Sequence, residues 1–527
     1  MYKCPTCGAG LVFEPKTQKL LCLSCRNQYD PENIEKMRLD QAKEVNNDEK
    51  IQDEYEAVSY KCSHCGAELI TTDETITTFC SFCRTGTMLD RKTVKKRKPD
   101  YVIPFKITKK ECEEIYINRI KNAVFAPKSM IDTQEVEKIR GIYMPYWIYS
   151  FEKHGEDSTK GQKYSHRSGD YVYYDDYTLT TNVNAECSGI THDATADFSD
   201  RLSESITPFS VEEKKDFSPA YLSGYYADNE DVDDKTYLNE SHDIVSKHIS
   251  KELGKDKEYH KYSAKPKVTL EQQSAKLALF PIYFIATKNR MGDRISYAVI
   301  NGQTGKIAAD IPIDFKKFAI FSTILAIIIF IILNLFVSFS MPKLIMSSIV
   351  FNIGSLFLLK KQNQKIINRE NEIDDKGIQY KKHRTENNTA KTNTQNNYNG
   401  SLTNTIIISI AIIIGLPILY FLGYALGFST LFKHIGIAII PISLLIMIIR
   451  KMRYPDKDIS LYKPLLGLLI TIVVFCIRPA SDIYYYIAAL ISISITMWSF
   501  YDIIKKLNIL STRKLPQLGK RGGDENA

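Results

Sequence analysis

Eight cysteines near the N-terminus have a type and spacing that could bind a metal. They are arranged as Cys4-x2-Cys7-x14-Cys22-x2-Cys25 and then as Cys62-x2-Cys65-x14-Cys80-x2-Cys83. Two C-x2-C pairs at this separation are typical of zinc sites, because each pair supplies two adjacent corners of a tetrahedron of thiolates. The spacing therefore predicts two structural Zn²⁺ sites, each closed by four cysteines.

The residues between the paired cysteines must bring the two halves of each site together. LVFEPKTQKLL and LITTDETITTF both read as strand, turn and strand. Gly8 and Gly66 follow the first pair of each set and allow a tight backbone there. The pattern predicts two zinc ribbons, a fold too small to be stable without its metal.

Disulfide bonds are the alternative use of these cysteines, and they would require an oxidising compartment. The chain begins with a cysteine pair where the apolar core of a signal peptide would lie, which favours reduced thiols. His64 is expected to face solvent, since four cysteines complete the second site. The isolated Cys112, Cys187 and Cys476 are expected to be packing residues.

Changes in composition divide the chain into nine segments. We assign them as zinc ribbon 1 (1–30), a charged helical linker (31–58), zinc ribbon 2 (59–90), a basic linker (91–100), a soluble α+β domain (101–315), a transmembrane hairpin (316–360), a disordered cytoplasmic loop (361–402), four further transmembrane helices (403–503) and a cytoplasmic C-terminal tail (504–527).

The α+β prediction for 101–315 depends on two kinds of pattern. Strands rich in Tyr, Ile and Val are separated by turn signals such as NGQTG, which indicates a largely antiparallel sheet. Residues 108–124 fit an amphipathic helix with Thr108 as its N-cap and Glu111 three positions later. A polar helix fits 232–253.

The C-terminal part contains apolar runs long enough to predict membrane spans. The six candidates are 318–338, 344–359, 406–426, 431–449, 461–477 and 483–501, of which the second and fifth are short. The chain therefore reads as a multi-domain protein that ends in an all-α membrane domain of about six transmembrane helices.

The distribution of charge supports this topology. The formal net charge of +8 arises from 0 over residues 1–100, −4 over 101–317 and +12 over 318–527. Most of the excess lies in the loops after the second and fourth spans and in the C-terminal tail (360–400, 450–460 and 502–527). The positive-inside rule requires this distribution if both termini are cytoplasmic. We expect a multi-pass protein of the cytoplasmic (inner) membrane, in contact with membrane lipids.

The sequence offers little that would support catalysis. NGQTGK lacks the spacing of a phosphate-binding loop, and the chain contains no dinucleotide-binding glycine run, HExxH or GxSxG motif. Charged residues are missing from the interiors of the predicted spans, which disfavours an ion transporter. We expect a protein that is not an enzyme and that takes no evident small-molecule substrate.

The tandem ribbons, together with DYVIPFKITKKE, GIYMPYWIYSF, SGDYVYYDDY, NGQTGKI and TRKLPQLGKRGGDENA, carry a family resemblance. The chain resembles bacterial membrane proteins with transcription-factor-IIB-type zinc ribbons, which are often labelled primosomal-helicase-like on the ribbon alone. The resemblance implies a non-catalytic scaffold linked to envelope stress, with phage-shock-protein-A-type partners. It implies the same eight cysteines as the zinc ligands.

Two functions remain open from the sequence. The favoured one is a membrane scaffold that presents the ribbons and the α+β domain to the cytoplasm for protein binding. The alternative is a membrane-tethered nucleic-acid-binding protein, suggested by the basic run RKTVKKRK. Ribbon 2 is slightly acidic, and phosphate contacts require Lys and Arg, so nucleic acid is the less favoured partner.

Overall fold

A computed structural model describes residues 2–45, 54–71, 79–86, 90–253, 261–262, 270–288, 294–336, 341–371, 375–379, 445, 461–477 and 481–514. The main helices in these ranges are α1 (Pro31–Val45), α2 (Lys109–Lys121), α3 (Thr133–Val136), α4 (Asp200–Ser205), α5 (Leu238–Leu253), α6 (Phe315–Phe336), α7 (Met341–Glu370), α8 (Tyr462–Ile477) and α9 (Asp482–Leu510). Residues 376–379 are also helical.

The strands of the N-terminal half are β1 (Leu11–Glu14), β2 (Lys19–Cys22), β3 (Gln28–Tyr29), β4 (Glu54–Lys61), β5 (Glu68–Thr71), β6 (Asp90–Arg97), β7 (Tyr101–Val102), β8 (Arg140–Ser168) and β9 (Tyr171–Asp193). Those that follow are β10 (Lys215–Asp216), β11 (Tyr226–Ala227), β12 (Lys261–Tyr262), β13 (Glu271–Lys288), β14 (Arg294–Asn301), β15 (Ile307–Ala309) and β16 (Arg513–Lys514).

Two sheets organise the part of the chain before α6. Strands β1, β2 and β3 form a small antiparallel sheet at the N-terminus. The larger sheet runs in the order β10, β7, β13, β8, β11, β5, β4 and β6, with further strands on β8, β13 and β14. Its pairings are antiparallel except those of β11 with β8 and of β13 with β7. The prediction of an α+β domain with a largely antiparallel sheet is confirmed.

The core of this domain is aromatic and lies on both faces of the large sheet. On one face, Phe105 packs against Tyr143, Tyr225 and Tyr283, with ring centroids 4.3 to 4.9 Å apart. On the other face, Tyr146 stacks on Phe280 at 4.5 Å. Side chains at alternate positions of β8 therefore pack on opposite faces of the sheet, as the two-residue period of a strand requires.

Helix α2 begins where the sequence predicts. The Glu111 backbone N–H donates to Thr108 Oγ1 at 3.3 Å, and Glu111 Oε2 accepts from the Thr108 N–H at 2.9 Å. These reciprocal bonds satisfy two backbone donors that a helix start would otherwise leave exposed. The predicted hairpin at NGQTG is also present between β14 and β15, with Gly305 at φ +77°.

Strands β8 and β9 form a hairpin that extends far beyond β13, and only the short β12 pairs with it there, at Gly161 and Gln162. β13 covers β8 only from Arg140 to Glu152, whereas β9 pairs with β8 out to the turn at Ser168 and Tyr171. The far part of the hairpin exposes aromatic side chains, including Tyr171 at 74% and Tyr173 at 48%. The sequence indicates strands here but gives no sign of this length.

The basic run that reads as a linker is a strand in the structure. β6 pairs antiparallel with β4, which places Lys95 opposite Glu56 and Arg97 opposite Glu54. Opposite charges at facing positions stabilise a strand pair. Ribbon 2 is therefore continuous with the large sheet of the α+β domain.

Four helices correspond to four of the predicted spans. The predicted runs 318–338, 344–359, 461–477 and 483–501 largely coincide with parts of α6, α7, α8 and α9. The runs 406–426 and 431–449 lie outside the described residues apart from Leu445. Among the described helices, only α9 is both long enough and apolar enough to cross a membrane. Tyr462–Val474 of α8 is apolar but shorter. Six spans are not supported by the structure and stay a prediction.

Helix α7 also continues into the segment that the sequence assigns to a disordered loop. Residues 361–370 extend it as KQNQKIINRE, which contains several good helix formers. Arg369 and Glu370 at its end contact the α+β domain, since Arg369 pairs with Asp310 at 3.1 Å. These contacts with residues distant in sequence stabilise the extension.

Candidate metal centres

The structure brings the eight predicted cysteines together as two groups of four. Within each group, one ligand atom from every cysteine lies within 4.8 Å of the others. In ribbon 1 the Sγ atoms of Cys4 and Cys25 are 3.5 Å apart, and those of Cys7 and Cys22 are 3.4 Å apart. In ribbon 2 the pairs Cys62–Cys83 and Cys65–Cys80 are each separated by 3.7 Å.

These separations test whether the sites fit a zinc ion. Four sulfurs at about 2.3 Å from a tetrahedral Zn²⁺ would lie about 3.8 Å from one another. The 3.7 Å separations in ribbon 2 match this value closely, and those in ribbon 1 are slightly shorter. Both groups could therefore hold a metal ion through four thiolates.

All four cysteine pairs use the same backbone turn. In each, the residue after the second cysteine has a positive φ, at Gly8, Arg26, Gly66 and Arg84. Its N–H donates to the carbonyl of the first cysteine, at 2.8 to 3.0 Å. The expected role of Gly8 and Gly66 is explained, and two arginines adopt the same turn without the freedom of glycine. Sequence reasoning missed these two positions.

Within each site, hydrogen bonds between the cysteines lower the pKa of some thiols and raise that of others, so part of each group favours the thiolate form that a metal requires. Hydrogen bonds from Cys65 and Cys80 are the main cause that lowers the pKa of Cys62 to about 6. The pKa of Cys4 is also lowered to about 6, since hydrogen bonds from Tyr29 and from backbone N–H groups outweigh the opposing effect of burial. The Tyr29 hydroxyl lies 3.3 Å from Cys4 Sγ.

The two centres differ in how they are embedded. The four cysteines of ribbon 2 are buried in the apolar layer that contains Phe82, Met144 and Tyr297. The Tyr297 hydroxyl donates to the Phe82 carbonyl at 3.0 Å, which fixes the second knuckle against β14. In ribbon 1, by contrast, Cys7 is exposed and Cys25 is half-buried. The metal centre of ribbon 2 is therefore enclosed in the domain core. Leu11, Phe13 and Leu20 of ribbon 1 also pack into the core, but its metal centre has an exposed side.

Ribbon 1 docks on the domain through a few specific contacts. Phe13 packs edge-on against Tyr221 at 5.3 Å, and its N–H donates to the Ser223 carbonyl at 2.9 Å. A Cβ at Gly224 would lie only 2.6 Å from Val12, so the close approach of β1 requires glycine there. These contacts orient ribbon 1 with Leu23, which is 61% exposed, facing solvent.

The other predicted site residues behave as packing or surface groups. His64 is exposed, as expected for a residue outside a complete ligand shell. Cys112 is fully buried in the core on α2, and burial raises the pKa of its thiol. Cys187 is half-buried on β9. The side chain of Cys476 lies outside the described residues.

Comparison with known proteins gives one informative match. The chain is similar to "Uncharacterized protein YdjG" of Bacillus subtilis (strain 168). The two are 28% identical over 325 residues, which cover 60% of this chain and 92% of YdjG. No family model matches the chain, and no solved structure matches it. The similarity to YdjG identifies a relative of the chain but does not indicate which activity the chain has.

Proposed function

We propose that this protein is a multi-pass scaffold of the cytoplasmic membrane, which presents two zinc ribbons and an α+β domain to the cytoplasm for protein binding. The observation that carries the proposal is the distribution of polarity in α7, α8 and α9. Polar side chains are buried between them beside apolar ones, and their outer surface is apolar.

Several polar side chains are buried in these three helices, beside apolar ones such as Leu359, Leu465 and Ile503. The polar ones include Ser348, Asn352, Ser355, Thr471, Ser492, Thr496 and Ser499. Asn352 Nδ2 donates to Ser492 Oγ at 2.9 Å, which links α7 to α9. Interhelical hydrogen bonds and small residues are how helices associate in lipid, where apolar contact gives no net driving force.

The outer surface of the same helices is strongly apolar. Phe351 is 62% exposed, Leu490 65% and Met497 68%. On α6, Ile320, Ile324 and Ile331 are 55 to 63% exposed. A soluble protein rarely exposes a contiguous apolar surface of this kind. This arrangement favours lipid around α6, α7, α8 and α9.

The soluble domain contacts the ends of these helices, which supports a fixed orientation. Arg294 at the start of β14 pairs with Glu370 of α7 at 3.0 Å and donates to the Ile509 carbonyl of α9 at 2.9 Å. The lysines and arginines near these helix ends support a cytoplasmic location for the domain. Both termini are then cytoplasmic in our proposal.

A scaffold role fits the chemistry of the zinc centres. Four cysteine thiolates close each site, and a catalytic zinc would need an open position for water or substrate. The ions we propose would be Zn²⁺, held by the two groups of four cysteines for structural purposes. Envelope stress and a phage-shock-protein-A-type partner enter the proposal through the family resemblance alone.

The alternative function as a nucleic-acid-binding protein loses support from β6. Lys95 and Arg97 lie opposite glutamates of β4 in the strand register, and Lys96 pairs with Glu68 at 3.5 Å. These carboxylates reduce the net positive charge of the surface, although Lys95 and Arg97 are exposed. Nucleic-acid affinity depends on positive charge that is free to contact phosphate. Fluorescence anisotropy of the full chain with DNA at low salt would test this alternative directly.

Affinity purification from mild-detergent extracts of bacterial membranes tests the proposed function. We expect co-purification of a protein partner, reduced by Leu23→Asp on the exposed surface of ribbon 1. Val124→Asp is the matched control, because Val124 is 68% exposed and follows α2. Failure to recover any partner with or without envelope stress, or equal loss in both variants, would contradict the proposal.

A further inference from the structure

The short segment Asp375–Gln379, which follows α7, forms a helical turn in a groove on the α+β domain. Asp375 Oδ1 caps this turn by accepting the Ile378 N–H at 3.0 Å. Ile378 is 6% exposed and belongs to an apolar cluster with Trp147, Val232 and Tyr237. The Trp147 indole donates to the Val232 carbonyl at 2.8 Å, which holds one wall of the groove against β8. A piece of the inter-helix loop therefore occupies a surface formed more than 130 residues earlier.

The backbone of this segment fits the groove closely. A Cβ at Gly377 would lie 2.9 Å from Val232 Cγ2 and 3.6 Å from the Ala196 Cα, so a larger residue would be displaced. The Lys376 N–H donates to Asp200 Oδ2 at 2.9 Å, and the Tyr237 hydroxyl donates to Oδ1 of the same carboxylate at 2.7 Å. Asp200 is thus oriented to accept a backbone N–H.

The side chain of Lys376 adds a charged contact at the rim. Its Nζ forms an ion pair with Glu240 of α5 and lies 5.7 Å from the centroid of the Tyr237 ring. Three successive residues therefore contact the groove in different ways. Lys376 binds through its ammonium group, Gly377 fits because it has no side chain, and Ile378 packs with its aliphatic side chain. This combination is typical of a peptide in a groove with pockets for individual residues.

Docking of this segment also brings buried aspartate side chains close together, which is electrostatically unfavourable. Asp193, Asp200 and Asp375 are 3%, 7% and 6% exposed. Asp193 Oδ2 has no hydrogen-bond partner among the described residues. Burial and the two neighbouring carboxylates raise the pKa of Asp193 well above its ordinary value. Three acidic groups buried together, one of them with an unsatisfied oxygen, are destabilising, so the segment is held less tightly than its fit alone would allow.

We propose that this surface, the 376–378 groove (Ala196, Asp200, Val232, Tyr237 and Glu240), is a recognition site for a helical turn with the sequence Lys-Gly-aliphatic. The chain's own segment occupies the groove until a partner protein supplies a competing one. The inference deepens the proposed scaffold function, on which it rests, by specifying the chemistry of the partner. A segment with Asn in place of Asp375 can keep the bond from the Ile378 N–H, relieves the carboxylate cluster and binds more tightly than the chain's own segment.

A peptide in trans tests the groove. The probe is a fluorescein-labelled peptide of residues 371–382, NEIDDKGIQYKK, titrated with the full-length protein in detergent and followed by anisotropy. In the Ile378→Asp protein the tethered segment leaves the groove, and we expect saturable binding of the peptide. We expect the wild-type protein to bind about tenfold or more weakly, because its tethered segment competes at high effective concentration.

Variants of the peptide provide controls that do not depend on protein folding. The Gly377→Val peptide should lose binding, since its side chain would overlap Val232. The Asp375→Asn peptide should bind several-fold more tightly than the native sequence. Asp200→Ala in the Ile378→Asp protein should abolish binding.

Two results would overturn the inference. One is the absence of saturable binding to an Ile378→Asp protein that keeps its circular dichroism spectrum and zinc content. The other is equal binding of the native and Gly377→Val peptides. Because the assay uses purified components, its failure is distinguishable from failure to recover a partner through ribbon 1.

Discussion

Gly467 of α8 lies directly against Asn352 of α7, and a Cβ at Gly467 would come within 2.3 Å of Asn352 Oδ1. The missing side chain lets the two helices approach closely enough for Asn352 to lie at the centre of the bundle, where it is fully buried. Small residues permit such approach between membrane helices in general.

Gly467→Ala should therefore destabilise the bundle, by about 1 to 3 kcal/mol for an overpacked contact of this kind. Gly354→Ala is the matched control, because a Cβ there meets nothing within 4 Å and alanine is a better helix former. Thermal unfolding of the full chain in detergent measures both. Equal midpoints for the two variants would contradict the predicted packing.

The embedding of the two centres predicts unequal effects of losing a ligand. Cys65→Ser should lower the stability of the whole α+β domain, because Cys65 is buried in its core, whereas Cys7→Ser should affect ribbon 1 locally. Each variant should retain about one Zn per chain against about two in the wild type. Zinc analysis and limited proteolysis of the domain check this. A wild-type protein without zinc would end the assignment of both centres.

His192 predicts a pH dependence of stability. It stacks on Tyr237 at 4.8 Å, and its pKa is lowered to about 4, mainly by burial and then by Lys376, against an opposing effect of Asp200. The folded protein holds the imidazole of His192 in its neutral form. The contribution of this group to stability is therefore lost as pH falls from about 6.5 towards 4. Asp193, with its raised pKa, acts in the opposite direction.

The comparison of wild type with His192→Gln isolates the histidine from its neighbours. We expect the midpoint of the variant to approach or exceed that of the wild type as pH falls between about 6.5 and 4, a range set by the two pKa values. Above pH 7 the difference should be constant. A difference that did not change across the acid range would show that folding leaves the pKa of His192 unchanged.

Arg294 predicts coupling between the soluble domain and the helices. Its guanidinium contacts Thr512 Oγ1, the carbonyls of Ile509 and Thr512, and Glu370. Arg294→Ala leaves several buried acceptors without a donor and should cost about 2 kcal/mol or more. Hydrogen exchange should then increase at the end of α9.

Lys514→Ala is the control for that experiment. Lys514 also pairs with Glu370, at 2.7 Å, but its side chain is 69% exposed. Exposed ion pairs contribute little, so we expect less than about 1 kcal/mol. Similar exchange in the two variants would argue against a coupling role for Arg294.

Local patterns in the sequence account for the features that were predicted correctly. The cysteine spacing, the Thr108 and Glu111 cap and the NGQTG turn each depend on residues within a few positions of one another. The cysteine groups required only that two such turns meet across a hairpin, which the strand pattern of ribbon 1 already indicates.

The features that were missed depend on contacts between distant residues. Nothing near Asp193, Asp200 or Asp375 in the sequence indicates that these carboxylates meet, because they come from a strand, a helix and a loop. Likewise, the burial of ribbon 2 depends on the pairing of β4 with β5 and β6, and on β14 behind it. Such contacts leave no periodicity or spacing in the chain.

The long β8–β9 hairpin has a mechanical consequence. At about 3.3 Å per residue, the stretch from Lys153 to Ser168 reaches some 50 Å past the last pairing with β13. A pull on its tip would load the β8–β13 ladder along the strand axis, so that many hydrogen bonds share the force at once. Through β14 and Arg294, the same force would reach α7 and α9. A force applied at the tip of the hairpin would thus be transmitted through the sheet to the helices.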